Sequence, residues 1–143
     1  MQKSRMSRLK ITLPTTWSDR SAENSNGSPT YIRHASARPG TLIVSHASYI
    51  GNSAVQLDDK GLIELATNLA TSGGGQASSA RNGNCKMGRF GSVTAVCPQS
   101  GSGKIWVLWN GTDCVLVTHY AQGEIDPNEA SEAEQIVMDI TVR

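Results

Sequence analysis

Two apolar runs joined by Asn110-Gly111 constrain the fold of this chain most strongly. Lys104–Asn110 reads KIWVLWN and Thr112–Ala121 reads TDCVLVTHYA, and both runs place apolar residues on both faces of a strand. Asn-Gly between strand-like runs predicts a β-hairpin. A meander with one solvated face would alternate apolar with polar residues, so these strands belong in the interior of a sheet. We therefore expect a central hairpin with other elements covering both faces of its sheet.

Four further segments have the composition and alternation of strands. They are Leu9–Leu13, Thr30–His34, Thr41–Ile50 and Cys85–Cys97. Between the first two, the polar residues 15–29 predict a loop, with Trp17 as its buried anchor. Residues Ser72–Asn84 (SGGGQASSARNGN) are too polar and too glycine-rich for a core position, so they predict a flexible loop.

Two segments have helical spacing. Leu57–Thr71 starts at Asp58 or Asp59 as N-cap and ends at the glycines from Gly73. Its expected buried face is Leu62, Leu65, Ala66 and Leu69. The final helix starts at Asp126-Pro127-Asn128-Glu129, which matches a capping box with proline in the first turn. Its expected buried stripe is Ala130, Ala133, Val137 and Ile140, with Glu132, Glu134 and Asp139 solvated.

Together these segments predict an α+β fold in the order β-β-β-α-β-β-β-α. We expect a central antiparallel sheet of about six strands covered by two main helices. At 143 residues, of which 38% are hydrophobic, the chain fits a single domain over residues 9–143. Residues 1–8 are expected to form a flexible basic extension, and Met6 is an alternative start.

Composition argues against several classes of protein. The net charge is +1 and the mean hydropathy is −0.31, which argues against a membrane protein and against a nucleic-acid binder. The three cysteines are widely spaced, unlike a disulfide framework or a zinc module. No apolar signal segment follows the basic residues of Met1–Lys10, so a cytoplasmic location is expected.

Charge is distributed unevenly along the chain. Residues 1–38 carry seven basic and two acidic side chains (+5), residues 39–112 five and three (+2), and residues 113–143 one and seven (−6). If the two ends lie apart in the fold, the molecule is electrically polar. The acidic end then predicts a surface for a basic protein partner. Its candidate residues are Glu124, Asp126, Glu129 and Glu132.

No motif for catalysis or cofactor binding is complete. Gly101-Ser102-Gly103-Lys104 resembles the end of a phosphate-binding loop, but Pro98 and Ile105 stand where the pattern needs Gly and Ser or Thr. A hairpin turn is the better interpretation. Cys114 and His119 are five residues apart, so they point to opposite faces of a strand. We therefore predict no catalytic, cofactor-binding or metal-binding residue, and Cys114 is interpreted as a buried apolar side chain.

The pairing of the last strands follows from the predicted turns. A two-residue turn at Asn110-Gly111 places Val107 opposite Cys114, and a six-residue loop places Cys97 opposite Lys104. Cys97 and Cys114 would then be too far apart for a disulfide.

The chain resembles the PsbP/Mog-type superfamily in several segments. These are a strand leading into LPTTW, the aromatic strand KIWVLW and the C-terminal segment EAEQIVMDITV, with Trp17 and Trp106 as individual positions. The superfamily comprises extrinsic photosystem proteins, a Ran-binding nuclear transport factor and small bacterial proteins, some of them adaptors or immunity factors for toxin secretion. The resemblance implies an antiparallel sheet between helices and a non-enzymatic binding protein; no functional residue carries over.

Two hypotheses about function remain. The first is a small non-catalytic protein-binding domain of a bacterial system, such as an immunity factor, adaptor or chaperone. The second is a small enzyme or small-molecule-binding domain, with a pocket at the sheet end near His46, His119 and Tyr120 and the loop at 72–84 as a lid. The sequence identifies neither the partner nor the oligomeric state.

Overall fold

The computed structural model describes residues 9–23, 27–48, 57–97 and 101–142. Its strands are β1 (Leu9–Lys10), β2 (Trp17–Asp19), β3 (Thr30–Arg33), β4 (Thr41–Ser48), β5 (Gln76–Cys85), β6 (Gly88–Cys97), β7 (Gly101–Trp109), β8 (Asp113–Ala121) and β9 (Thr141–Val142). Its helices are α1 (Asp59–Ser72) and α2 (Pro127–Met138), and a short 3-10 helix covers Ser21–Glu23. The predictions for residues 1–8, and for Tyr49 and Ile50, lie outside the described residues.

The main sheet is an antiparallel sheet of seven strands in the order β2-β3-β4-β8-β7-β6-β5. Strands β1 and β9 form a separate two-stranded sheet. Helix α1 packs through Leu62, Ala66 and Ala70 on one face of the main sheet, and α2 packs through Ala133, Ile136 and Val137 on the other. The α+β class and the covered central strands are thereby confirmed.

The central hairpin forms, but its turn lies one residue later than predicted. Trp109 pairs with Cys114, and Val107 pairs with Leu116 rather than Cys114. The Oδ1 atom of Asn110 accepts hydrogen bonds from the backbone N–H groups of Thr112 and Asp113. Because this side-chain cap fixes Asn110 at the first position of the turn, Gly111 and Thr112 become its centre. Gly111 adopts a φ of +100° there, which glycine tolerates.

The loop predicted for Ser72–Asn84 is wrong for most of its length. Helix α1 runs to Ser72, and β5 pairs with β6 from Gln76↔Val96 to Cys85↔Gly88. A bulge interrupts the pairing between Ser78 and Arg81. The strand is polar because it lies at the edge of the sheet and most of its side chains are exposed, so it lacks the apolar alternation of an interior strand.

Other boundaries also differ from the predictions, and residues 15–29, which were expected to form a loop, contain β2 and the 3-10 helix. The strand predicted over Cys85–Cys97 begins at Gly88, because Cys85 is the last residue of β5 and Lys86 and Met87 form the turn between β5 and β6. The first strand ends at Lys10, since its partner β9 has only two residues, although Ile11 and Leu13 still pack on the core. Cys97 pairs with Gly101 and not with Lys104, because β7 begins at Gly101. The predicted hairpin turn at residues 101–104 is therefore part of a strand.

Candidate functional site

A buried histidine–glutamate pair lies between the sheet and α2. His119 follows Val115 and Val117 on the same face of β8, where all three side chains are buried. Its Nε2 atom lies 2.6 Å from Oε2 of Glu129, and the two side chains are 2% and 1% exposed. The backbone N–H of Gly40 donates a second hydrogen bond to Oε2. The interpretation of Glu129 as a capping-box residue on an acidic surface is therefore wrong: α2 docks with Glu129 inward, while Ala130 is exposed.

A second acidic residue of α2, Glu132, joins the helix to β2 and β3. Its Oε1 atom accepts hydrogen bonds from Thr16 Oγ1, from Trp17 Nε1 and from Nε of Arg33. The Arg33 guanidinium, followed by the Thr16 hydroxyl, lowers the pKa of Glu132 to about 2. Arg33 also contacts Asp126, which caps α2 by accepting from the N–H of Asn128. These carboxylates are therefore occupied by contacts within the chain.

Among the described residues, the two oppositely charged ends of the chain do not lie apart, which was the condition for the predicted electrical polarity. Strand β1 pairs with β9, and Arg33 from the basic segment binds Glu132 from the acidic segment. The two oppositely charged segments are therefore neighbours and partly neutralise each other. Among the predicted partner-binding residues, Glu124 is exposed, Asp126 and Glu132 are partly buried and Glu129 is buried. The structure does not assemble these residues into one free acidic surface.

The predicted pocket residues are not brought together as a group. His46 and His119 lie on the same sheet face, but His46 is opposite Val115 and His119 is opposite Leu42. Four residues along β8 separate these positions by about 13 Å. His46 Nε2 lies 2.8 Å from Oδ1 of Asp113, and the Tyr120 side chain lies on the opposite face, where it is 42% exposed. Both imidazoles contact carboxylates rather than a shared cavity.

The cysteines lie in different environments. Cys114 is buried against α1, and burial raises the pKa of its thiol to about 11, which agrees with its interpretation as an apolar core residue. Burial also raises the pKa of Cys85. No group of three or more metal-binding side chains is found among the described residues. In the same part of the chain, no helix is long and apolar enough to cross a bilayer.

The most extended unused hydrogen-bonding surface of the described chain is the outer edge of β5. The strand has ten residues, and its pairing partner is β6 on one side. The other end of the sheet is β2, with only three residues. Sequence reasoning missed this edge because the segment lacks apolar alternation. The sequence did offer one sign of a strand: the segment between the end of α1 and the start of β6 contains no proline.

Comparison with known proteins supports the fold. No protein-family model and no curated protein sequence matches the chain. Among solved structures, it is similar to the solution structure of cyanobacterial PsbP (CyanoP) from Synechocystis sp. PCC 6803. The similarity has a TM-score of 0.62 and 6% sequence identity, and it covers 96% of this chain and 88% of that chain. The chain therefore has a PsbP-like fold.

Proposed function

We propose that this chain is a non-catalytic protein-binding domain that receives an extended segment of a partner protein along the outer edge of β5. The single observation that carries the proposal is a ten-residue edge strand that, among the described residues, pairs with β6 alone. An extended peptide can add a strand to such an edge through main-chain hydrogen bonds. Since alternate residues of a strand point outward, about five residues of β5 are available for this pairing.

The side chains of β5 favour a selective partner over uncontrolled association. They are small or polar, and the strand contains no large apolar side chain and no proline. Polar side chains and bulges are features by which proteins protect exposed edges from aggregation. On either side of the bulge near Ser79, which has a φ of +55°, Gln76–Ser78 and Arg81–Cys85 pair regularly with β6, and a partner strand would use both stretches. A partner strand therefore has a defined place to bind.

The described residues with reactive side chains support a binding role rather than catalysis. His46 and His119 contact Asp113 and Glu129, so their imidazoles serve contacts within the fold. Cys114 is buried and its thiol pKa is raised to about 11, which disfavours the nucleophilic thiolate at neutral pH. An adaptor, an immunity factor or a chaperone of a bacterial system could each use an edge of this kind. A cytoplasmic location stays a prediction.

Selection of peptides followed by amide exchange tests the proposal. Random peptides of about ten residues, the length of a typical long strand, are displayed on phage and selected on the immobilised chain. Each selected peptide is synthesised, and amide hydrogen exchange of the complex is measured. We expect new protection at alternate residues of β5, with exchange in α2 unchanged. Binders that protect other elements and leave β5 unchanged would refute the proposal.

A proline substitution provides a matched control for main-chain recognition. Because N–H directions alternate along a strand, one of the amides of Ala77 and Ser78 points away from β6. The residue whose amide exchanges faster in the free protein is replaced by proline, which removes that donor. Replacement of the same residue by glycine keeps the backbone N–H donor. We expect the proline variant to lose peptide binding and the glycine variant to keep it; equal binding by both folded variants would contradict strand addition.

A further inference from the structure

Beyond the β5 edge, a second surface has the features of a ligand site. Tyr120 is one of two large hydrophobic side chains that are exposed in the described chain, at 42%. Tyr120 lines both an apolar hollow and a polar cavity. We propose that this composite site, the Tyr120 site, binds an α-amino acid with a large apolar side chain.

The apolar hollow forms where the sheet extends beyond the end of α1. It has a volume of about 340 Å³, and its apolar lining includes Leu69, Ala70, Ala95, Cys97 and Ile105. Helix α1 stops at Ser72, and the chain turns away at Gly73 and Gly74. The strands beneath continue past this point, and their α1-facing residues Cys97, Thr118 and Tyr120 are not fully buried there. The hollow can accept an aromatic or branched aliphatic side chain.

The polar cavity lies at the adjoining end of β4 and β8. It has a volume of about 750 Å³ and is bordered by Arg38, Thr41, Gln122 and Glu124 in addition to Tyr120. Arg38 and Glu124 are both exposed, and neither takes part in an ion pair within the described part of the chain. The cavity therefore offers a guanidinium and a carboxylate that no described residue neutralises, together with neutral hydrogen-bonding groups.

This combination of charges selects the chemistry of the ligand. Arg38 can bind a carboxylate through two parallel hydrogen bonds. Glu124 would repel a ligand that carries a carboxylate alone, but it attracts an ammonium group. A zwitterionic head satisfies both charges in the cavity. An apolar side chain on the same molecule can pass Tyr120 and enter the hollow, which matches an apolar α-amino acid.

The position of Cys97 in the hollow gives a direct measure of occupancy. Its thiol is partly exposed, whereas that of Cys114 is buried. The alkylation rate of Cys97 by iodoacetamide is measured by peptide mass spectrometry, with phenylalanine as the probe. Phenylalanine at twice its dissociation constant should slow alkylation about threefold, since two thirds of the sites are then occupied. Alanine lacks the phenyl ring, 3-phenylpropionate lacks the ammonium group and phenethylamine lacks the carboxylate. At equal concentration, each should therefore protect Cys97 from alkylation less than phenylalanine does.

Substitutions of exposed charged residues test the site with little risk to the fold. R38Q and E124Q should each weaken protection by phenylalanine, while K60Q, on the exposed first turn of α1, should leave it unchanged. Circular dichroism confirms that each variant is folded. An unchanged alkylation rate with phenylalanine would overturn the proposal, as would equal protection by 3-phenylpropionate or equal protection in R38Q. None of these results would affect the role proposed for β5.

Discussion

Removal of one partner from the His119–Glu129 pair should destabilise the fold strongly. The two side chains are 2% and 1% exposed and lie 2.6 Å apart. In a His119→Leu variant, the described contacts of the Glu129 carboxylate are reduced to the N–H of Gly40. An uncompensated buried charge of this kind costs about 3–5 kcal/mol of unfolding free energy. For a domain of this size, that loss lowers Tm by about 10–17 °C.

Urea denaturation followed by circular dichroism measures the effect. Lys86→Ala is the matched control, because the Lys86–Asp139 pair is exposed at 61% and 44% and such pairs contribute about 1 kcal/mol or less. The double variant His119→Leu with Glu129→Leu replaces both polar partners by apolar ones. It should recover part of the lost stability, since the unpaired buried charge is gone, while the N–H of Gly40 still loses its acceptor.

A loss below about 1 kcal/mol for His119→Leu would refute this reasoning. A double variant less stable than both single variants would also refute it, because the cost would then come from packing rather than from an unpaired charge.

Two further predictions concern the pH dependence and the packing of the helices. Because the pKa of Glu132 is lowered to about 2 from an ordinary 4.5, its contribution to stability is present above pH 4.5 and is lost as the pH falls towards 2. Glu132→Gln should therefore flatten the stability profile measured by urea denaturation over this range, and a parallel profile would contradict the Arg33 contact. Gly91→Ala should destabilise the chain by about 1–3 kcal/mol, since the new Cβ would lie 2.8 Å from Leu62 Cβ of α1. Gly123→Ala is the control and should be neutral, because its new Cβ meets nothing within 4 Å. Equal Tm values for the two variants would contradict the close approach of α1 to Gly91.

Strong periodic patterns were sufficient to predict the covered sheet and both helices. Asp126 was predicted as an N-cap, and Asp58 was one of the two N-cap candidates with Asp59, because capping chemistry is local. The hairpin was also predicted, but its turn position depends on hydrogen bonds from Asn110 Oδ1 that the dipeptide pattern does not specify. Local signals therefore predicted where both helices begin but not the exact bounds and register of the strands.

The candidate site was predicted less well because its contacts are distant in sequence. Glu132 binds Arg33 across 99 positions, and no spacing rule joins these residues. Glu129 and His119 are ten positions apart, and the alternation of His119 with Val115 and Val117 was the available sign that it faces the core. Strand β5 was missed for a different reason: an edge strand with exposed faces needs no apolar side chains.

Amide exchange of the free protein tests the open edge of β5 most directly. The account predicts slow exchange at the residues of Gln76–Cys85 that pair with β6, alternating with fast exchange at their neighbours, apart from the bulge. Uniformly fast exchange would mean that the segment is a loop. Uniformly slow exchange would mean that the outer edge is already paired, and either result would contradict an edge available to a partner.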